Sequence, residues 1–216
     1  MKTLKIKYIL FRPVWRACIF AFLFFILISF SKETTRAFAA NKNPFISGSI
    51  ENIADTSTIP YLALGDSYTI GEAVEEKDRF PVQLAAILRH QNLNVSNPEI
   101  VAATGWTTGN LLRELDVSAP KKKYGLVTLL IGVNNQYQGL SLDEYKIQFA
   151  ELLTRAVSYA GNQRGRVWVL SIPDYSVTPF ARGYDIEKIA KEIDRYNDAN
   201  KAISSDRGVH YLDNLA

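Results

Sequence analysis

Three polar turns, each at the end of an apolar run, hold the residues of this sequence best placed to do chemistry. The first is Gly65-Asp66-Ser67, inside the stretch from Tyr61 to Gly71. The second is Thr104-Gly105-Trp106, and the third Gly132-Val133-Asn134-Asn135. A serine at the carboxyl end of a strand turns its hydroxyl into the crevice where open α/β sheets put their chemistry. Each turn also has a plain reading. Asp66 and Ser67 are ordinary turn residues, Gly105 serves as a turn glycine, and Asn134 as a loop asparagine tolerant of left-handed backbone. Finding all three in order, at three strand ends, argues against coincidence.

The elements that must position these turns follow from apolar patterning. Strands are expected near 61–64, 100–103, 126–131, 167–170 and 208–212. The run Leu126-Val127-Thr128-Leu129-Leu130-Ile131 has the continuity of a central strand buried on both faces. Gly65 is expected to relax the backbone before Ser67, and Gly71 to end the turn. Asp78-Arg79-Phe80-Pro81 reads as a helix start with a capping acid and an early proline. Ser141-Leu142-Asp143-Glu144 reads as a capping box opening a helix that carries Tyr145, Phe149, Leu152, Leu153 and Ala156. A last helix starts at Asp185. Strands alternating with helices imply a three-layer α/β/α domain around a five-stranded parallel sheet.

The amino terminus is different in kind. A basic start, an apolar run from residue 17 to 30 and the small-residue site Ala37-Phe38-Ala39 have the layout of a signal peptide over residues 1–39. Export is expected, with retention as a membrane anchor the alternative. Residues 40–59 read as a linker or surface arm, and 60–216 as the domain. The formal charge of +3 comes from the leader, which takes seven of the 25 basic residues and one of the 22 acidic ones. The remaining 18 bases and 21 acids leave −3, which argues against a nucleic-acid partner. Cys18, in the leader, is the only cysteine, so no disulfide or thiol nucleophile is expected in the exported chain.

With these blocks in order, the chain resembles the GDSL-type, or SGNH, hydrolases, over roughly Tyr61 to Asp213. The matching residues are Gly65-Asp66-Ser67, Gly105, and Gly132-Val133-Asn134, with Tyr68 where many members have Leu and Asn135 where they more often have Asp. The resemblance implies a flavodoxin-like α/β/α fold and a serine esterase acting on an acyl or acetyl ester, lysophospholipid-like or an acetylated sugar. It makes Ser67 the nucleophile. It assigns the oxyanion hole to the backbone N–H groups of Ser67 and Gly105 and the side-chain amide of Asn134. Glycine permits close approach of the backbone, and asparagine is an uncharged donor. Trp106, Tyr137, Tyr175, Phe180 and Tyr184, in loops at the same edge, read either as lining for an acyl or sugar pocket or as packing residues.

One block is missing. The family places Asp-x-x-His after the fifth strand, whereas here Asp213-Asn214-Leu215-Ala216 is all that follows it. The two histidines are His90, in the first long helix, and His210, inside the last strand; Asp206 and His210 are four apart. No general base is assigned, and a truncated form of a longer protein is expected. The alternative is an inactive protein of this fold that binds an acyl or acetylated ligand. A flavodoxin-like cofactor binder is disfavoured, because no Gly-rich phosphate loop or Walker motif occurs. No cofactor is expected, and no metal, since no ligand cluster is visible in the sequence.

Overall fold

The computed structural model describes residues 57–213; the leader, and the arm up to residue 56, lie outside them. From Ile59 the chain forms one compact unit. Its strands are β1 (Tyr61–Gly65), β2 (Glu99–Ala102), β3 (Leu126–Leu130), β4 (Val167–Leu170) and β5 (His210–Leu212). They form one parallel sheet in the order β2-β1-β3-β4-β5. The winding reverses between β1 and β3, so a crevice opens there at the carboxyl ends of the strands. Ile59, assigned by sequence to the arm, makes a parallel bridge to Val95.

The apolar runs become strands because the sheet is covered on both faces. β1, β3 and β4 are wholly buried, whereas the edge strand β2 is half-buried throughout. Side chains alternate between the faces. Leu62, Leu64, Val127, Leu129, Val167 and Val169 join one core with Leu111, Leu115, Phe149, Leu152, Ile189 and Ile193. On the other face, the Tyr61 hydroxyl lies 3.0 Å from that of Thr128, and Trp168 stacks on His210 at 4.1 Å between ring centroids.

Six helices connect the strands: α1 (Ser67–Ile70), α2 (Phe80–His90), α3 (Thr108–Val117), α4 (Val133–Tyr137), α5 (Leu142–Tyr159) and α6 (Ile186–Arg207). Their caps depart from the sequence expectations in instructive ways. Asp78 does not cap α2. It ends a 3-10 turn (Glu76–Asp78), Arg79 takes the cap position without a side-chain bond, and Pro81 sits in the first turn. Ser141 does accept from the Glu144 N–H at 3.4 Å, but the Glu144 carboxylate turns forward to Gln148 at 2.7 Å. The complete capping box is at α3, which the apolar pattern alone does not predict. There the Thr107 N–H donates to Asn110 Oδ1 at 3.0 Å, and the Asn110 N–H donates to Thr107 Oγ1 at 3.3 Å.

Candidate active site

Ser67 is the first residue of α1, a single helical turn that begins as soon as β1 ends. Asp66 caps it, accepting the Tyr68 N–H on Oδ1 at 3.0 Å. Gly71 closes it in the left-handed region at φ 73° and donates to the Ser67 carbonyl at 3.1 Å. Gly65 has a different purpose from the one expected. Its φ is not positive. A Cβ there would instead run into the Leu130 carbonyl oxygen and Thr69 Oγ1. Glycine at 65 is thus a matter of space between the ends of β1 and β3.

The loop after β2 is held from both sides. Gly105 sits at φ 82°, while a Cβ on it would meet no atom within 4 Å. Here glycine relieves backbone strain rather than crowding. On one side, Thr104 Oγ1 donates to the Glu72 carboxylate, and the Glu72 N–H reaches the Ser67 carbonyl at 3.0 Å. On the other, α4 and the residue after it supply three side chains. Asn134 Nδ2 donates to the Trp106 carbonyl at 2.9 Å, and Gln138 Nε2 to the Gly105 carbonyl at 3.4 Å. Asn135, buried, accepts the Thr108 N–H at 3.0 Å and donates to Thr108 Oγ1 at 2.8 Å. Thr108 Oγ1 in turn donates to Gln148 at 2.5 Å. Glu72 and Gln138 have no distinguishing signal in the sequence beyond their position next to the motif turns, whereas Asn135 is the last residue of the third turn.

Beneath the Ser67 turn lies a buried carboxyl. Asp66 is 1% exposed, and its Oδ2 has no hydrogen-bond partner. Burial pushes its carboxyl up to about 7, opposed by the backbone N–H groups of Tyr68, Gly132 and Asp66 itself. Gly132 links this carboxyl to the third turn. It caps α4 at φ 133°, and a Cβ there would lie 2.7 Å from both Ile172 Cδ1 and the Tyr145 hydroxyl. That hydroxyl is also buried, 2.6 Å from Asn200 Oδ1 and 3.1 Å from the Ile131 carbonyl.

Neither histidine is at this edge. His90 ends α2, and the Asn94 carbonyl four residues on accepts from Ile59, which precedes β1. His90 therefore lies towards the amino edge of the sheet. His210 opens β5 and is level with Trp168, Thr128 and Ala63. That places it four residues short of Ser67 along the strand direction and three strands across. β1 ends at Gly65, two residues above that level, so at about 3.3 Å per residue and 4.8 Å per strand the offset to the end of β1 is roughly 7 Å by 14 Å, with Ser67 beyond it.

Four of the five candidate lining aromatics come together. Tyr137, from the end of α4, contacts Tyr175, Phe180 and Tyr184 at centroid distances of 6.3, 5.9 and 6.4 Å. The last three come from the segment after β4, with its 3-10 turns Tyr175–Val177 and Pro179–Ala181. Trp106 is not in this group. Half-buried, it packs against the main core, with its carbonyl held by Asn134.

Solved structures resemble this fold at low sequence identity. AlinE4, an SGNH-hydrolase family esterase, superposes with a TM-score of 0.56 at 17% identity, over 72% of this chain and 76% of that one. TesA gives 0.56 at 16% identity, over 70% and 76%. The psychrotrophic esterase EstA from Pseudoalteromonas sp. gives 0.54 at 15%, over 71% and 76%. Among curated proteins none matches in sequence. The family model for GDSL-like lipases and acylhydrolases matches residues 63–216, a span that holds all three motif turns and most of the unit described above. The chain belongs to the GDSL-like lipase/acylhydrolase family.

Proposed function

We propose that this chain is a serine ester hydrolase in which Ser67 attacks the ester carbonyl carbon. The Ser67 oxygen forms the new bond and gives up its proton to solvent or to added base, and the carbonyl electron pair moves onto oxygen. Collapse of that tetrahedral species breaks the ester C–O bond and expels the alcohol, which takes a proton from the same source. Water then hydrolyses the acyl-serine. Oxyanion charge is met by the N–H groups of Ser67 and Gly105 and by Asn134 Nδ2, donors that gain their value by being fixed before reaction. The observation that carries this reading is the direct link between the second and third turns. One hydrogen of Asn134 Nδ2 goes to the Trp106 carbonyl, and the amide has a second to offer a reacting oxygen.

A neutral serine hydroxyl needs a base, and the two histidines are poorly placed to be one. Loss of one triad member can leave about 10³–10⁴-fold acceleration over water. The expected behaviour is slow, Ser67-dependent hydrolysis of p-nitrophenyl acetate that added imidazole accelerates, after subtraction of the Ser67→Ala background. Asn134→Ala should lower the Ser67-dependent rate about 10²–10³-fold. A rate equal in the wild type and Ser67→Ala, with or without imidazole, would leave the binding-protein reading in its place. The leader adds a proposal of export, for which the intact mass of protein recovered outside the cytoplasm should begin at Ala40.

A further inference from the structure

Beside the three motif turns the molecule carries an aromatic surface that ester cleavage itself does not require. Tyr137, Phe180 and Tyr184 are 47%, 51% and 52% exposed, whereas Tyr175 beneath them is buried. Phe180 and Tyr184 are near parallel, at 6.2 Å and 21°, and Tyr137 is tilted 45° and 57° to them as a side wall. The Tyr137 and Tyr184 hydroxyls are 3.3 Å apart at the rim. The surface is braced from below. Tyr175 donates to Gln136 Oε1 at 2.9 Å, and Gln136 Nε2 donates to Glu192 at 2.8 Å. Tyr137 follows Asn134 by three residues on α4, so the two share a helix face.

We propose that Tyr137, Phe180 and Tyr184, braced by Tyr175, form a platform for the ring face of a saccharide, so that the ester carried to Ser67 is an O-acylated sugar. This rests on the esterase reading for its second half only. An alkyl chain gains its full burial energy only when enclosed, and these rings leave any occupant open to water on one side. The neighbouring cleft, about 190 Å³ and sharing Gln136, is lined in part by Glu192 and Arg195 and offers no apolar tunnel. A sugar ring needs no enclosure. It covers the aromatic surface with one C–H face, keeps most hydroxyls hydrated, and can hydrogen-bond the paired phenols at the rim.

The test is titration of the full chain with cellopentaose, xylopentaose and chitopentaose, followed by amide chemical-shift mapping and calorimetry. Dodecylphosphocholine serves as the lipid-headgroup arm. At least one pentasaccharide should bind, with shifts centred on residues 137 and 175–186. Phe180→Ala with Tyr184→Ala should weaken that binding about tenfold or more, or about 1.4 kcal/mol. Tyr184→Phe, which keeps the ring, should weaken it less, and Ser67→Ala not at all. Thermal melts establish that each variant is folded. Absence of binding by all three sugars overturns the platform, as does binding indifferent to the double variant. Preferential binding of dodecylphosphocholine at these residues replaces the sugar with a zwitterionic single-chain lipid. Sugar binding with no Ser67-dependent hydrolysis would retain the platform and remove the esterase reading; the converse would do the reverse.

Discussion

The two halves of the carboxyl edge are built by different means. The turns after β1, β2 and β3 are tied to one another by side-chain hydrogen bonds: Glu72 to Thr104, Asn134 to Trp106, Asn135 to Thr108 and Gln138 to Gly105. The segment after β4 meets them through rings, with Tyr175, Phe180 and Tyr184 gathered around Tyr137. The Asn135 bonds to Thr108 are buried, with narrow geometry and a high cost if left unmade, whereas those of Thr104 and Gln138 are exposed. Ring contacts are broad and tolerate rearrangement. Fixed donors suit the stabilisation of one developing charge, and a forgiving surface suits the choice of what is carried to it. Perturbing the stapled half should therefore cost much stability, and perturbing the aromatic half little.

The largest effect is expected from pH, through Asp66 under the stapled half. Its carboxyl is raised by burial to about 7 in the folded chain, from an ordinary value of 3.8. Between those values the folded state holds a proton that the unfolded state has lost. Stability therefore falls as pH rises from about 4 to about 7 and levels off above, by on the order of 4 kcal/mol over the window. Tyr145 is the other titratable group in electrostatic contact with it, and burial holds that phenol well above its ordinary value. Asp66→Asn keeps an acceptor for the Tyr68 N–H but does not titrate. Urea midpoints at a series of pH values should show the decline in the wild type and a flatter profile in the variant. Parallel profiles would mean that Asp66 titrates as an ordinary carboxyl.

Next in size is Gly65→Ala. The added methyl meets the Leu130 backbone as well as Thr69, so no rotamer change can make room. Overpacking of this kind costs about 1–3 kcal/mol and occasionally more, and the upper end is expected here. Gly105→Ala is the useful contrast. It meets open space but must hold φ 82°, so its cost is backbone strain alone, about 1–2 kcal/mol. Equal losses at the two positions would show that crowding at 65 is relieved by movement of β3.

How much of this was legible in the sequence depends on what each feature rests on. The central strands were, because burial on both faces leaves a continuous apolar run such as Leu126 to Leu130. The fifth strand is shorter than expected, starting at His210 rather than Gly208, since Gly208 is spent closing α6 in the left-handed region. α3 was not legible. Its first residues, Thr108, Gly109 and Asn110, have turn-like composition, and its capping box uses Asn110 in place of the usual Glu or Gln. The three motif turns were found as points, but not the bonds between them. Those depend on which residues the reversal between β1 and β3 brings side by side, and single-chain periodicity carries no record of that. For Trp106 the sequence likewise carries no record of the Asn134 bond to its carbonyl or of its packing against the core.

A middling effect is expected at Asn135, the most buried of the staples. Asn135→Ala leaves the buried Thr108 N–H without its acceptor, at a cost of about 1–3 kcal/mol. Asn135→Asp keeps the acceptor for the Thr108 N–H but buries a carboxylate in place of the donor to Thr108 Oγ1, so at neutral pH a loss at least as large is expected, eased as the pH falls. Chemical denaturation orders the pair, and any Ser67-dependent activity should fall in the same order, because Thr108 opens the helix that follows the Gly105 turn. An aspartate variant clearly more stable than the alanine one at neutral pH would mean that position 135 is open enough to solvate a carboxylate.

The smallest effect should come from the aromatic half, and it is the one that tests the comparison most directly. Phe180 is about half exposed, and its neighbours Val177 and Tyr184 are also exposed. Phe180→Ala takes away the ring that packs beside Tyr137, Tyr175 and Tyr184, but leaves no buried polar group unpaired. Tyr175 keeps its bond to Gln136, and the 3-10 turn at Pro179–Ala181 keeps its proline. Surface substitutions of this kind usually stay within about 0.5 kcal/mol. Because three neighbouring rings are left without a partner on that side, a value near the destabilising end of the range is expected. The urea midpoint should barely move, while pentasaccharide binding should weaken. A loss as large as that of Asn135→Ala would mean that the rings are structural packing. In that case the division of the edge into a stapled half and an adaptable half would fail.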